Sequence, residues 1–103
     1  MPAAPNDDFV ERVLDVVESI PPGRVMTYGD IAATIGSNAP RAVGKVMAYG
    51  GSGVPWWRVI RASGHPPQCH EGEALEHYRA EGTPLIWGTS AYRVNLRTAR
   101  HVP

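Results

Sequence analysis

The chain has 103 residues, ten basic and ten acidic side chains, a formal charge of zero and one cysteine, Cys69. This length supports one domain, residues 1–103 with an ordered core over about 8–97, and the composition excludes a disulfide framework and argues against a strongly basic nucleic-acid binder. No stretch approaches the roughly 20 apolar residues of a membrane span, and Asp7 and Asp8 stand where an export signal would be basic, so a cytoplasmic location is expected, nucleoid-associated if the source is bacterial.

Residues 1–5 are rich in proline and alanine and read as a loose lead-in. From Phe9 the apolar positions Phe9, Val10, Val13, Leu14, Val17 and Ile20 recur at helical spacing, with Asn6 to Asp8 as N-cap candidates and Pro21-Pro22-Gly23 as the stop. Arg24-Val25-Met26 has room for a short strand or turn. Thr27-Tyr28-Gly29-Asp30 has the form of a capping box, which predicts a second helix ending at Gly36. Ser37-Asn38-Ala39 makes a turn and Pro40 suits a first helical position, so a third helix is predicted over 41–49, closed by Gly50-Gly51. Two short helices joined by a tight turn behind a longer one form a helix-turn-helix. On the third helix Val43, Val46 and Met47 point inward, Arg41, Lys45 and Ala48 outward, and Ala42 and Gly44 flank them. Glycine inside a helix costs up to about 1 kcal/mol relative to alanine, so something approaches closely there, either DNA or a packed neighbour.

Pro55 biases Val54 towards extended backbone, and Arg58-Val59-Ile60-Arg61 predicts a short strand with Val59 and Ile60 on opposite faces. Adjacent residues entering a strand do not face one core, so at least one of Trp56 and Trp57 is expected to line a cleft or the surface. Residues 62–70 read as a loop turning at Ser63-Gly64. A fourth helix is predicted over 73–81, with Ala74, Leu75 and Tyr78 inward and Gly82 as its stop; Leu85–Trp87 and Tyr92–Leu96 follow as a terminal hairpin or wing. The fold class is mainly α with small β, a winged helix-turn-helix. Between Asp30 and Glu71 no acid occurs, while Arg41, Lys45, Arg58 and Arg61 do, which gives a basic middle between acidic ends.

Other chemistries have little support. His65, Cys69, His70 and His77 include no second thiol and no CxxC pair for zinc, and Gly50-Gly51-Ser52-Gly53 lacks the lysine of a phosphate loop. Cys69 and His70 are adjacent, a poor arrangement for a nucleophile and its base. No cofactor or metal is expected. A transcriptional regulator would use the same helix-turn-helix, normally as a dimer, and no dimerisation helix is visible. That regulator and a methyltransferase using Cys69 are the alternatives.

The runs Thr27-Tyr28-Gly29-Asp30-Ile31-Ala32, Arg41-Ala42-Val43-Gly44, Pro55-x-x-Arg58-Val59-Ile60 and Glu81-Gly82 resemble the DNA-binding domain of the O6-alkylguanine-DNA alkyltransferases over about Asp8 to Leu96. In those enzymes a Pro-Cys-His-Arg core carries the cysteine that accepts the alkyl group. Trp56 stands at the cysteine position, which makes the chain similar to the alkyltransferase-like proteins, binders of alkylated guanine that do not repair it.

The resemblance implies a monomeric, non-enzymatic sensor of O6-alkylguanine in double-stranded DNA that flips the nucleotide through the minor groove and hands the lesion to nucleotide excision repair proteins. It implies that Thr27, Tyr28, Arg41, Ala42, Gly44 and Lys45 meet the DNA, with Tyr28 pressing on the phosphate beside the lesion and Arg41 filling the vacated stack. The lesion pocket would comprise Tyr28, Pro55, Trp56, Trp57, Arg58 and Cys69, with Gln68-Cys69-His70 as its outer wall. Glu81 matches the acid of the enzymes' proton relay. Trp57 departs from the histidine usual at its position, and an indole N–H can donate but cannot act as a base.

Overall fold

The computed structural model describes residues 7–103, so the Asn6 cap considered for the first helix lies outside the described residues. Helix α1 (Asp7–Ser19) ends before Pro21-Pro22; Val13 and Val17 on its inner face are buried, as is Ile20 just after it. Strand β1 (Met26–Thr27) leads directly into α2 (Tyr28–Thr34) through the expected capping box. Asp30 N–H donates to Thr27 Oγ1 at 3.0 Å and Thr27 N–H donates to Asp30 Oδ2 at 3.1 Å, so each side chain satisfies an amide that the helix start leaves open. Helix α3 (Pro40–Gly50) opens on proline and packs against α2 and α1, completing the helix-turn-helix.

Two 3-10 turns, Gly51–Gly53 and Trp56–Arg58, precede β2 (Val59–Ile60). The strand expected over Arg58–Arg61 is therefore shorter at both ends. Arg58 N–H donates to Pro55 O at 3.0 Å, which holds Arg58 in the turn, and Arg61 N–H donates to His65 O at 3.0 Å. β2 runs parallel to β1, with Met26 opposite Val59 and Thr27 opposite Ile60.

This short ribbon is the seam between two apolar cores. Met26 and Val59 join Val13, Val17, Ile31, Val43 and Val46 on the side of the helix-turn-helix. Ile60, with Val25 just before β1, joins Ala74, Tyr78, Tyr92, Val94 and Ala99 on the other. Successive side chains of a strand point to opposite faces, so Val59 and Ile60 serve different cores and both are fully buried.

Helix α4 (Glu71–Glu81) starts two residues earlier than expected and stops at Gly82, whose φ of +71° is the left-handed cap that glycine adopts without strain. Strands β3 (Leu85–Trp87) and β4 (Tyr92–Val94) pair antiparallel as the wing. Leu96 does not extend β4. It opens α5 (Leu96–Ala99), because the Asn95 carbonyl accepts from the Thr98 and Ala99 amides at 3.2 and 2.9 Å. The fold continues past residue 97, since Val25 bridges to Arg100 and His101 N–H donates to Val25 O at 2.8 Å.

The capping box can be tested alone. Thr27→Ala is expected to cost about 1 kcal/mol in urea unfolding, and Thr27→Ser to recover most of it. Equal midpoints for all three proteins would show that the cap contributes nothing.

Candidate functional site

A cavity of about 470 Å³ opens between the start of α2, one flank of α3, the Trp56 turn and the start of α4. Helix α3 contributes Gly44, Met47 and Ala48, and the following turn contributes Gly51 and Ser52. Tyr28 and Trp56 stand on its walls, and Pro67, Gln68, His70 and Glu73 form the remaining side. Tyr28 is the first residue of α2, so the capping box directly before it fixes where its ring leaves the backbone. Burial pushes the Tyr28 hydroxyl above its ordinary pKa and the charge of Arg61 partly offsets this, so it stays a protonated donor at neutral pH.

The predicted site residues divide into several groups. Tyr28, Gly44 and Trp56 come together at the cavity. Arg41 and Lys45 are exposed on α3, with Ala42 half-buried beside them. Nothing lies within 4 Å of where a Cβ on Gly44 would stand, so no helix or strand packs there and the glycine faces open space. Thr27 is not at a DNA-accessible surface: it is 4 % exposed and its hydroxyl accepts from the Asp30 amide, so it positions Tyr28. Pro55, Trp57, Arg58 and Cys69 are not among the cavity's lining residues. Cys69 is exposed at a φ of +71°, while its neighbours Gln68 and His70 form the wall that was expected of the whole loop.

Trp57 and Arg58 lie behind the cavity wall, where they meet Glu81. Trp57 Nε1–H donates to Glu81 Oε2 at 2.8 Å, and Arg58 Nη2 donates to the same oxygen at 2.6 Å. Arg58 Nε reaches both carboxylate oxygens at 3.2 Å, and Nη1 donates to the Ile20 carbonyl at 2.8 Å. Gly23 N–H donates to Glu81 Oε1 at 2.9 Å. Gly23 has a φ of +83°, and a Cβ there would stand 3.2 Å from the Glu81 carbonyl oxygen, so both backbone shape and space call for glycine. The carboxylate that the resemblance assigns to a proton relay is thus an acceptor for four donor groups.

The indoles are fixed by one another and by two histidines. Trp57 stacks on His77 with ring centres 3.6 Å apart and planes 6° apart, and its carbonyl accepts from Tyr78 Oη at 2.5 Å. Trp56 meets Trp57 edge-on at 5.7 Å, and His77 and His70 lie 5.9 and 5.5 Å from it. Such pairs add about 0.5–1.5 kcal/mol each beyond the area they bury. Trp56 is therefore held in place at the cavity before any ligand enters.

Sequence reasoning missed Met47, Ala48, Gly51, Ser52, Pro67 and Glu73 as cavity residues. Met47 lies between the buried and exposed faces of α3, and helical spacing assigned it to the core. Gly51 is buried, and a Cβ on it would stand 3.2 Å from Met47 Cε, so its use as a linker glycine concealed a close contact. No signal in the sequence points to Glu73. Among the described residues no group of three or more His, Cys, Asp or Glu is placed to hold a metal ion.

Burial raises the pKa of Glu81, but the hydrogen bonds from Arg58, Gly23 and Trp57 and the charge of Arg58 together hold it below the ordinary carboxylate value. Its folded pKa lies below its unfolded one. The associated stabilisation is therefore complete above about pH 4.3 and is lost as pH falls through the folded value. Glu81→Gln should be less stable than wild type at pH 7 and should lose less stability between pH 5 and the acid limit, as read by urea unfolding. Arg58→Met, which strands a carboxylate only 12 % exposed, should cost about 3–5 kcal/mol. An unchanged acid limb in Glu81→Gln would contradict this assignment.

A family model described as the DNA-binding domain of 6-O-methylguanine DNA methyltransferase matches residues 8–82. Alkyltransferase-like protein 1 of Schizosaccharomyces pombe is 43 % identical over 98 residues, covering 87 % of this chain and 91 % of that protein. The DNA base-flipping protein of Escherichia coli is 46 % identical over 62 residues, 57 % of this chain, and the match spans about half (48 %) of that relative's length. The crystal structure of S. pombe Atl1 in complex with damaged DNA containing O6-carboxymethylguanine superposes with a TM-score of 0.84 at 31 % identity, over 96 % of this chain and 99 % of that one. A match over most of the chain, in sequence and in fold, places this protein in the family of the 6-O-methylguanine DNA methyltransferase DNA-binding domain.

Proposed function

We propose that this protein is a non-enzymatic sensor that binds O6-alkylguanine in double-stranded DNA by turning the damaged nucleotide into the cavity beside Trp56. The observation that carries the proposal is a cavity in which Trp56 supplies a fixed aromatic wall, Gly44 leaves the flank of α3 open and no thiol is present. Flipping costs a few kcal/mol, less for a weakly paired lesion. Stacking on an aromatic ring returns about 1–3 kcal/mol per base, and burial of the alkyl chain adds about 25 cal/mol per Å². Selectivity then comes from both sides, because the alkyl group weakens the pairing that must be broken and adds area to be buried.

The remaining residues take roles consistent with their positions. Tyr28, at the cavity wall, presses on the phosphate beside the lesion, and its protonated hydroxyl donates to it. Arg41, exposed on α3, enters the stack where the nucleotide has left. Lys45 neutralises a phosphate. Alkyl transfer has no thiol acceptor in the cavity, since Trp56 lines it where the enzymes carry cysteine, Cys69 lies outside its lining and Trp57 N–H can only donate. The protein acts as a monomer in the cytoplasm or at the nucleoid, and passes the marked lesion to nucleotide excision repair.

Paired duplexes differing only by O6-methylguanine against guanine test this reading, with binding followed by fluorescence anisotropy. Wild type should favour the lesion duplex. Arg41→Ala should lose that preference more than it loses general affinity, whereas Lys45→Gln should weaken both duplexes alike and lower the salt slope by about one. Gly44→Ala should be about 0.5–1 kcal/mol more stable than wild type, since its methyl meets open space. Gly44→Leu should fold yet lose about tenfold or more in lesion binding, because the side chain fills the approach. Equal binding of both duplexes by wild type would overturn the proposal.

A further inference from the structure

Helix α3 exposes two different flanks. At 100° per residue, Gly44, Met47 and Ala48 fall on the side that lines the cavity, while Val43 and Val46 point into the core. Lys45 and Tyr49, one turn apart, fall on the side away from the cavity. Tyr49 is 85 % exposed, more so than Trp87 at 58 %, and nothing in the fold explains a tyrosine at that position. Arg41 and Lys45 are the helix's charged side chains, so the charge on its outer surface is cationic, with no acid beside it.

A helix lying along a DNA groove has one strand on each flank, whichever groove it enters. If the cavity flank receives the nucleotide turned out of the damaged strand, the opposite flank faces the other strand. We propose that Lys45 and Tyr49 form a binding site for the sugar-phosphate backbone of the undamaged strand. Lys45 contributes a point charge to one phosphate. Tyr49 lays its ring against a deoxyribose and donates its hydroxyl to a phosphate oxygen, a contact that fixes register and carries no sequence information. Holding the undamaged strand keeps it in place while its partner nucleotide rotates away. The inference rests on the lesion-binding reading for its assignment of strands.

The test uses the O6-methylguanine duplex in three forms: unmodified, with neutral methylphosphonate linkages opposite the lesion in the undamaged strand, and with the same linkages flanking the lesion. Wild type should lose about three- to tenfold in affinity with either modified duplex, as expected when one or two phosphate contacts are removed. Tyr49→Ala and Lys45→Gln should bind the unmodified duplex more weakly. Their double variant should be insensitive, within about twofold, to neutral linkages in the undamaged strand while retaining the full loss for those in the damaged strand. Tyr49→Phe separates the hydroxyl from the ring, and matched thermal melting shows that the exposed substitutions leave the fold intact. The inference is overturned if Tyr49→Ala binds the unmodified duplex as wild type does, or if the double variant remains as sensitive as wild type to the undamaged strand. A wild-type protein that binds lesion and guanine duplexes equally would remove the parent reading, yet the methylphosphonate pair would still decide which strand this flank meets.

Discussion

The carboxylate of Glu81 ties the two halves of the molecule together. Standing on the last residue of α4, it accepts from the Gly23 amide in the link after α1 and from Trp57 and Arg58 in the turn that carries Trp56. Arg58 extends the connection to the Ile20 carbonyl at the end of α1. A buried ion pair is weak evidence for net stability, because desolvation of the two charges offsets their attraction. Its importance here is geometric. Removing either partner leaves a charge buried without its counterion, so the turn, the helix end and the α1 link hold one arrangement, and Trp56 stands in a defined place at the cavity.

This junction gives the indole at position 57 a physical account. The resemblance leads one to expect histidine there, acting between a thiol and Glu81. Trp57 still donates to Glu81 at 2.8 Å but has no second nitrogen to take a proton. Its larger ring stacks on His77 and meets Trp56 edge-on, so the same position supports the cavity wall. The exchange removes proton transfer and adds rigidity. Both changes suit a site that recognises an adduct and leaves it unchanged.

Much of the fold was legible because local chemistry and the global fold agree. The Thr27 capping box, Pro40 at the start of α3 and Gly82 at the end of α4 each signal an element boundary through a specific backbone need. The cavity was legible at Gly44 and Trp56, whose types fit their places on its lining, and helical spacing alone gave the exposure of Arg41 and Lys45. The site was not legible where function depends on a partner distant in sequence. Arg58 reads as a strand residue until Glu81, 23 residues away, is seen beside it. The shared burial of Val59 and Ile60 also depends on there being two cores, which periodicity over two residues cannot reveal.

As proposed, the cavity recognises an alkylated guanine without consuming it. The most direct measurement saturates the protein with a duplex carrying O6-methylguanine, then determines the intact mass of the protein and the amount of O6-methylguanine left in the digested DNA. A bound complex, an unchanged protein mass and full recovery of the lesion are expected. A protein heavier by one methyl group, with a matching loss of lesion, would contradict the proposal.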